Sequence, residues 1–178
     1  MKMSDPEVNS HLRERFHNVA GRHLYVILGT YEAVARYERI AFPEARDPDN
    51  EKLLPPLNVN RTLLDRIPDE ELKELVQNEA QRPQQVRNRL YHELDRLLAE
   101  ELAKCSFLTL KQMELLFAYD LELDKLRTRA TNEKHILLLL PGQRRGDNIW
   151  LFHEAVPHWH RTLPPALVPE EHLCELIP

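Results

Sequence analysis

Between Cys105 and Gly142 the chain reads CSFLTLKQMELLFAYDLELDKLRTRATNEKHILLLLPG, and no other stretch limits the possible folds as strongly. It opens on a short apolar run, Phe107, Leu108 and Leu110, and closes on an unbroken one, Ile136 to Leu140. Met113, Leu116, Phe117, Leu121, Leu123 and Leu126 lie between them and mark a helical segment. A strand that is apolar at every position has no face to offer water. It therefore belongs in a sheet covered on both sides, which is the situation of a parallel sheet crossed by helices. The expected fold is α/β, with three layers around a mainly parallel sheet.

The rest of the chain supplies elements for such a sheet. Residues 1 to 22 read as a polar tail and an amphipathic helix, with Leu12, Phe16 and Val19 at helical spacing and an end near Gly21. HLYVILG, from His23 to Gly29, has strand length and β-rich composition. Thr30 can cap a following helix that carries Tyr31, Val34, Tyr37, Ile40 and Ala41 and stops at Pro43. After an acidic, proline-rich connection, Leu57 to Asn60 reads as a short strand, with Asn60 capping RTLLDRI. A second helix starts at Pro68 and Asp69. The longest begins near Pro83, with Val86, Leu90, Leu94, Leu97, Leu98 and Leu102 on one face and Arg87, Arg89, Glu93, Arg96 and Glu100 on the other. Past the central stretch, QRRGDN is a turn into Ile149 to Phe152, an antiparallel hairpin strand. The division expected is an N-terminal tail and helix over 1–22, an α/β domain over 23–155 and a proline-rich tail over 156–178, with a last helical turn at Glu170 to Leu176.

Composition narrows the functional classes. The net charge is −5 and charged residues make up 30% of the 178, both signs interleaved, which is an ordinary soluble surface rather than a nucleic-acid-binding one. Two distant cysteines and no apolar leader point to a reduced cytoplasm. No apolar run approaches the ~18 residues of a membrane span, so no membrane partner is expected. Four glycines against thirteen prolines is a poor supply for phosphate loops.

Strand, glycine, helix at Gly29 and Thr30 is nevertheless the arrangement of a phosphate loop. A working one has G-x-x-x-x-G-K-[ST], whose backbone N–H groups, lysine and hydroxyl hold phosphates and Mg²⁺. Counted from Gly29, the second glycine is replaced by Val34, the lysine by Ala35 and the hydroxyl by Arg36. Glu32 also places a carboxylate in the first helical turn, where it opposes an incoming anion. The aspartate that should close the next apolar strand and hold the metal is Lys111, and Glu114 is the first acid after it. No cofactor and no catalytic residue is expected from this site.

The order LNVNRTLLDRI, long helix, apolar strand, MELLFAYDLELDKLR, polar turn and HILLLLPG resembles the small P-loop ATPase-like proteins of BREX phage-defence systems, the BrxF-like group. Those proteins typically show a strand with its aspartate, an IELLF segment, a leucine-bearing helix and a strand ending in a proline-glycine turn. The resemblance spans about residues 23 to 153 and is strongest at Met113 to Arg127 and Leu57 to Leu64. It implies a P-loop NTPase scaffold and a subunit of a bacterial defence complex, with other protein subunits as partners. The departures at Val34, Ala35, Arg36 and Lys111 remove the groups that ATPase activity needs.

Other constellations are weaker. HEAVPHWH gathers His153, His158 and His160 with His172 and Cys174 behind, but the zinc-protease pattern H-E-x-x-H needs both imidazoles one helical turn apart, and Pro157 interrupts any helix here. A nonhelical zinc site drawn from His158, His160, His172 and Cys174 remains open. The serines, Ser4, Ser10 and Ser106, have no nucleophile-elbow context. The reading that results is a non-catalytic, pseudo-NTPase-like interaction subunit of an antiphage system. Two alternatives stand beside it: a nucleotide enzyme whose site a partner's cation completes, and an accessory protein that reaches nucleic acid through Arg82, Arg87, Arg89, Arg96, Arg127, Arg129, Arg144 and Arg145. The proline-rich tail, with Trp159, Leu163, Leu167, Leu173, Leu176 and Ile177, is expected either to contact a partner or to pack back on its own sheet.

Overall fold

The computed structural model describes residues 2–17, 21–159 and 161–178, so Val19 and His160 lie outside the described residues. In chain order the elements are β1 (Lys2–Met3), α1 (Asp5–Phe16), β2 (Leu24–Gly29), α2 (Tyr31–Ile40), β3 (Leu57–Asn58), α3 (Val59–Asp65), α4 (Asp69–Asn78) and α5 (Pro83–Lys104). They continue as β4 (Phe107–Lys111), α6 (Glu114–Ala118), α7 (Asp124–Arg129), β5 (His135–Arg145), β6 (Asn148–Leu151), β7 (Arg161–Thr162) and β8 (Leu173–Leu176). The strand order β1-β8-β2-β5-β4-β3 is parallel throughout, while β6 and β7 pair antiparallel beyond the end of β5. The α/β expectation holds.

Strand periodicity explains the three layers. Ile136, Leu138 and Leu140 of β5, with Leu24, Val26 and Leu28 of β2, join the core under α3 and α5, whereas Leu137, Leu139, Tyr25 and Ile27 face the core under α1 and α2. An uninterrupted apolar strand thus serves two cores at once. Pro141 marks where β5 leaves the parallel sheet. It pairs with Gly29 on one side, lies beyond the last β4 partner on the other, and its carbonyl accepts from the Phe152 amide at 2.9 Å. Past it, β5 becomes the first arm of the antiparallel ribbon, and the expected QRRGDN turn shortens to Gly146 and Asp147, with Gly146 at φ +60°.

Three local expectations need correction. Asn58, not Asn60, caps α3, accepting from the Arg61 amide at 3.0 Å, and β3 stops there. The helical segment after β4 is two short helices, α6 and α7, separated at Asp120, whose φ of +48° takes it out of helical geometry. The helical turn expected over Glu170 to Leu176 gives way to a strand after three residues, and of the two courses expected for the tail the chain packs back on its own sheet. After a 3-10 turn at Glu170–His172, β8 inserts between β1 and β2, and Leu163, Leu167, Leu173 and Leu176 are buried within the chain itself.

The long helix α5 packs by one face as its periodicity requires. Leu94 is fully buried, while the Arg96 side chain is 55% exposed. Leu94→Ala is expected to lower stability by about 2–5 kcal/mol as a cavity-forming truncation, and Arg96→Ala by about 0.5 kcal/mol or less. Denaturant midpoints of the two variants measure the contrast, and equal small losses would show that α5 is not a core helix.

Candidate functional site

The carboxyl ends of parallel strands are where open α/β sheets bind ligands, because helix N-termini and loops converge there. In this protein that edge gathers Gly29 at the end of β2 with Thr30 after it, Lys111 at the end of β4, Asn58 at the end of β3 with Asn60 beyond it, and Glu114 at the start of α6. The connection from β2 to α2 is a single residue, since β2 ends at Gly29 and α2 begins at Tyr31. Thr30 fills it as an N-cap, its hydroxyl accepting from the Ala33 amide at 3.0 Å. No loop exists here whose amides could wrap a phosphate chain. Gly29 itself answers a packing demand: a Cβ there would lie 3.1 Å from the Leu176 Cβ and 3.3 Å from the Ala33 Cβ, so the glycine lets β8 close against the start of α2.

The positions counted as a degenerate phosphate loop have other roles. Val34 is buried in the core under α1 and α2, and Ala35 is exposed. Arg36 reaches back to Asp5, at 3.0 and 3.2 Å, and donates to the Ile177 carbonyl at 2.7 Å, so it clasps α1, α2 and the residue after β8. Lys111, where a metal-holding carboxylate would stand, is ion-paired to Glu38 of α2. A cation fixed to its own carboxylate repels Mg²⁺ rather than holding it.

The helix N-terminus already carries an anion, and it is not the one the sequence suggested. Glu32 is exposed, whereas Glu154, from the segment after β6, accepts the Tyr31 amide hydrogen bond at 3.1 Å. The space left between Tyr31, Gly142, His153 and Glu154 is about 10 Å³, too little for a phosphate. Glu114 is tied down next to it. Tyr31 donates its phenol to Glu114 at 3.3 Å, Asn60 donates its amide to the same carboxylate at 2.7 Å, and the Asn60 oxygen accepts from the Leu115 amide at 3.0 Å. Burial and the Glu114 carboxylate carry the Tyr31 phenol up to about 12. Asn60, expected to cap α3, instead braces α6 against α3.

The histidine and cysteine candidates are dispersed. His172 turns its Nδ1 to the Leu24 carbonyl at 3.1 Å, Cys174 is buried in β8, His153 lies edge-on to Trp150 and His158 is exposed. Among the described residues no three His, Cys, Asp or Glu side chains form a metal-holding group, and no helix is long and apolar enough to cross a membrane. Most of the arginines named as nucleic-acid candidates face carboxylates: Arg87 on Asp120, Arg89 on Glu71 and Glu93, Arg96 on Glu93, Arg129 on Asp95, and Arg144 on Glu170.

Sequence reading missed a histidine pair at the opposite edge of the sheet. His135 opens β5 and is 5% exposed, and its ring lies 4.2 Å from that of His23, also buried. The His23 Nδ1 meets the Tyr25 hydroxyl at 2.6 Å, while both ring nitrogens of His135 lack a hydrogen-bond partner among the described residues. Phe16 and Phe107 box the His135 ring. Burial, then the neighbouring His23, pushes His135 down to about 4. An unfolded histidine binds its proton near pH 6.5, so this group's contribution to stability is complete above that pH and is lost as pH falls toward 4. The loss amounts to about 3 kcal/mol. His135→Phe, which suits an aromatic box and has no nitrogens to satisfy, is expected to flatten the stability profile between pH 6.5 and 4. Urea unfolding across that range checks it, and an unchanged slope would place the acid sensitivity elsewhere.

No protein-family model, no curated protein and no solved structure matches this chain.

Proposed function

We propose that this protein is a non-catalytic interaction subunit built on a P-loop-like α/β scaffold whose nucleotide site is filled from within. One observation carries the reading: where a triphosphate would have to lie, the connection is one residue long and the α2 N-terminus is capped by the chain's own Glu154. The Lys111–Glu38 pair supports it, since the position that would hold a metal is cationic and engaged. With nucleotide chemistry lost and the parallel sheet kept, the fold's remaining use is to present surfaces to other proteins. The resemblance of Met113 to Arg127 and of Leu57 to Leu64 to the BREX group makes an antiphage defence complex the proposed setting.

Two measurements test this. Calorimetry with MgATP and MgGTP is expected to show no saturable heat below about 1 mM, an affinity of about 4 kcal/mol. Glu154→Ala is expected to leave that result unchanged, because removing the carboxylate does not lengthen the loop. Micromolar, Mg²⁺-dependent binding would instead favour the nucleotide-enzyme alternative. Tagged full-length protein purified from its native cells is expected to bring down protein subunits in fixed ratio, and recovery of the chain alone would refute the subunit role.

A further inference from the structure

Of the seven described helices, α4 alone buries no residue. Its sequence is amphipathic all the same. Leu72 and Leu75 lean on the core beside α5, and Val76, next to them on the same stripe, is 61% exposed. The helix is not drawn down onto the core: an apolar cavity of about 80 Å³ lies beneath it, lined by Leu72, Val86, Leu90 and Leu115 among others. On its other flank a groove of about 470 Å³ separates it from α5, with Glu71, Glu74, Leu75, Asn88 and His92 on its walls. Val76 lines the rim of that cavity and Leu75 is shared between cavity and groove, so an apolar ridge stays open on α4 beside a polar-walled groove, which is a seat for a further helix.

Charge identifies the occupant. Residues 65–79 hold six carboxylates, Asp65, Asp69, Glu70, Glu71, Glu74 and Glu79, against two cations, Arg66 and Lys73, within a chain whose whole net charge is −5. Arg66 turns inward to Glu93 and Glu100, so it does not neutralise the outer face. Asp69, Glu70 and Glu74 have no ion-pair partner among the described residues, unlike the acids that face arginines around α5. The dipole of α4 accounts for Asp69 and Glu70 at its N-terminus, but not for Glu74 in its middle. A two-fold contact with a second copy would set these carboxylates against each other. Nucleic acid and anionic lipid meet the same repulsion.

We propose that the α4–α5 face is a docking surface and that its occupant is a basic amphipathic helix of a partner protein, with apolar residues covering Leu75 and Val76 and lysines or arginines meeting Glu70 and Glu74. This rests on the reading of the chain as an interaction subunit.

The test is site-specific cross-linking. A photoreactive residue is placed at Val76 of the full-length tagged protein in its native cells, with a control at Arg39 on α2, and the captured peptide is sequenced by mass spectrometry. The expected result is capture from position 76 and not from 39, of a segment in which lysines or arginines flank apolar residues. Glu70→Lys with Glu74→Lys is expected to cut the yield by about tenfold or more, while the thermal midpoint falls by no more than a few degrees as a cation replaces an acid in the first turn of α4. Capture of an acidic segment, a second copy or nucleic acid at position 76 overturns the proposal, as does a yield that survives the charge reversal. A partner that co-purifies yet cross-links only elsewhere overturns it and leaves the subunit reading standing. If nothing co-purifies, both fall.

Discussion

A chain ending at Pro164 is expected to lose its cooperative fold. The removed segment holds Leu167, Val168, Leu173, Cys174 and Leu176, all buried. At about 1.5–3 kcal/mol for each buried apolar side chain, their loss is comparable with the ~5–15 kcal/mol that holds a whole domain together. The damage extends beyond burial, because β8 is the strand between β1 and β2. Without it β1 has no partner and the long edge of β2 is bared, which invites association with other chains. The Arg36 clasp on the Ile177 carbonyl goes as well. Soluble yield and a circular-dichroism melt of the truncated chain are the measurements. A cooperative melt within a few degrees of the full chain would show that β8 contributes little to the fold.

Breaking the charge cluster around Glu93 is expected to be the costliest single substitution considered. Glu93 sits on the inner side of α5 at 1% exposure and meets Arg66 at 2.9 Å, Arg96 at 3.2 Å and Arg89 more closely still. Burial by itself would raise its carboxyl, but the hydrogen bonds from Arg89 and Arg66 outweigh that and hold it down at about 2. Glu93 is the buried carboxylate on which three arginines converge, and although Arg66 keeps Glu100 and Arg89 keeps Glu71, its removal leaves like charges facing one another at a half-closed site, so Glu93→Ala is expected to lose about 3–5 kcal/mol. For a chain of this size that is roughly 6–20 °C in melting temperature. A depressed carboxylate contributes stability that is present above its unfolded pKa, near 4.5, and is lost as pH falls through about 2. This window lies below the one set by His135, so the acid limb has two separable parts. Glu93→Gln should remove the lower part only, and His135→Phe the upper. Urea titrations of both variants from pH 7 to 2 distinguish them, and parallel profiles would mean that neither group governs acid unfolding.

The same Glu93 shows how partial the sequence reading was. Its alternation with arginines along α5 looks like a solvated face, and Arg96 fits that description. Glu93 does not, because Arg66 arrives from the end of α3 and Arg89 brings Glu71 of α4 with it. Likewise Asn58 and Asn60 are equivalent as caps within LNVN. The choice between them was made by α6, whose Glu114 and Leu115 amide take up the Asn60 side chain.

What the sequence alone determined about this protein is what depends on near neighbours. The unbroken run from Ile136 to Leu140 required a strand buried on both faces, the three-and-four spacing from Val86 to Leu102 required a one-sided helix, and Val34, Ala35, Arg36 and Lys111 stand where a phosphate loop and its metal would need glycine, lysine, a hydroxyl and a carboxylate. The tertiary structure decided what depends on residues far apart in the chain. LCEL is too short, and too enclosed by prolines, to announce a strand by its own pattern, and it becomes one because β1 and β2 offer open backbone donors and acceptors on either side. Glu154 reaches the Tyr31 amide across 123 positions, and the two rings of the His23–His135 pair lie 4.2 Å apart on adjacent strands. Periodicity records the local free-energy preferences of a segment, whereas which backbone edges pair and which carboxylate meets which helix terminus is fixed only when the whole chain has closed.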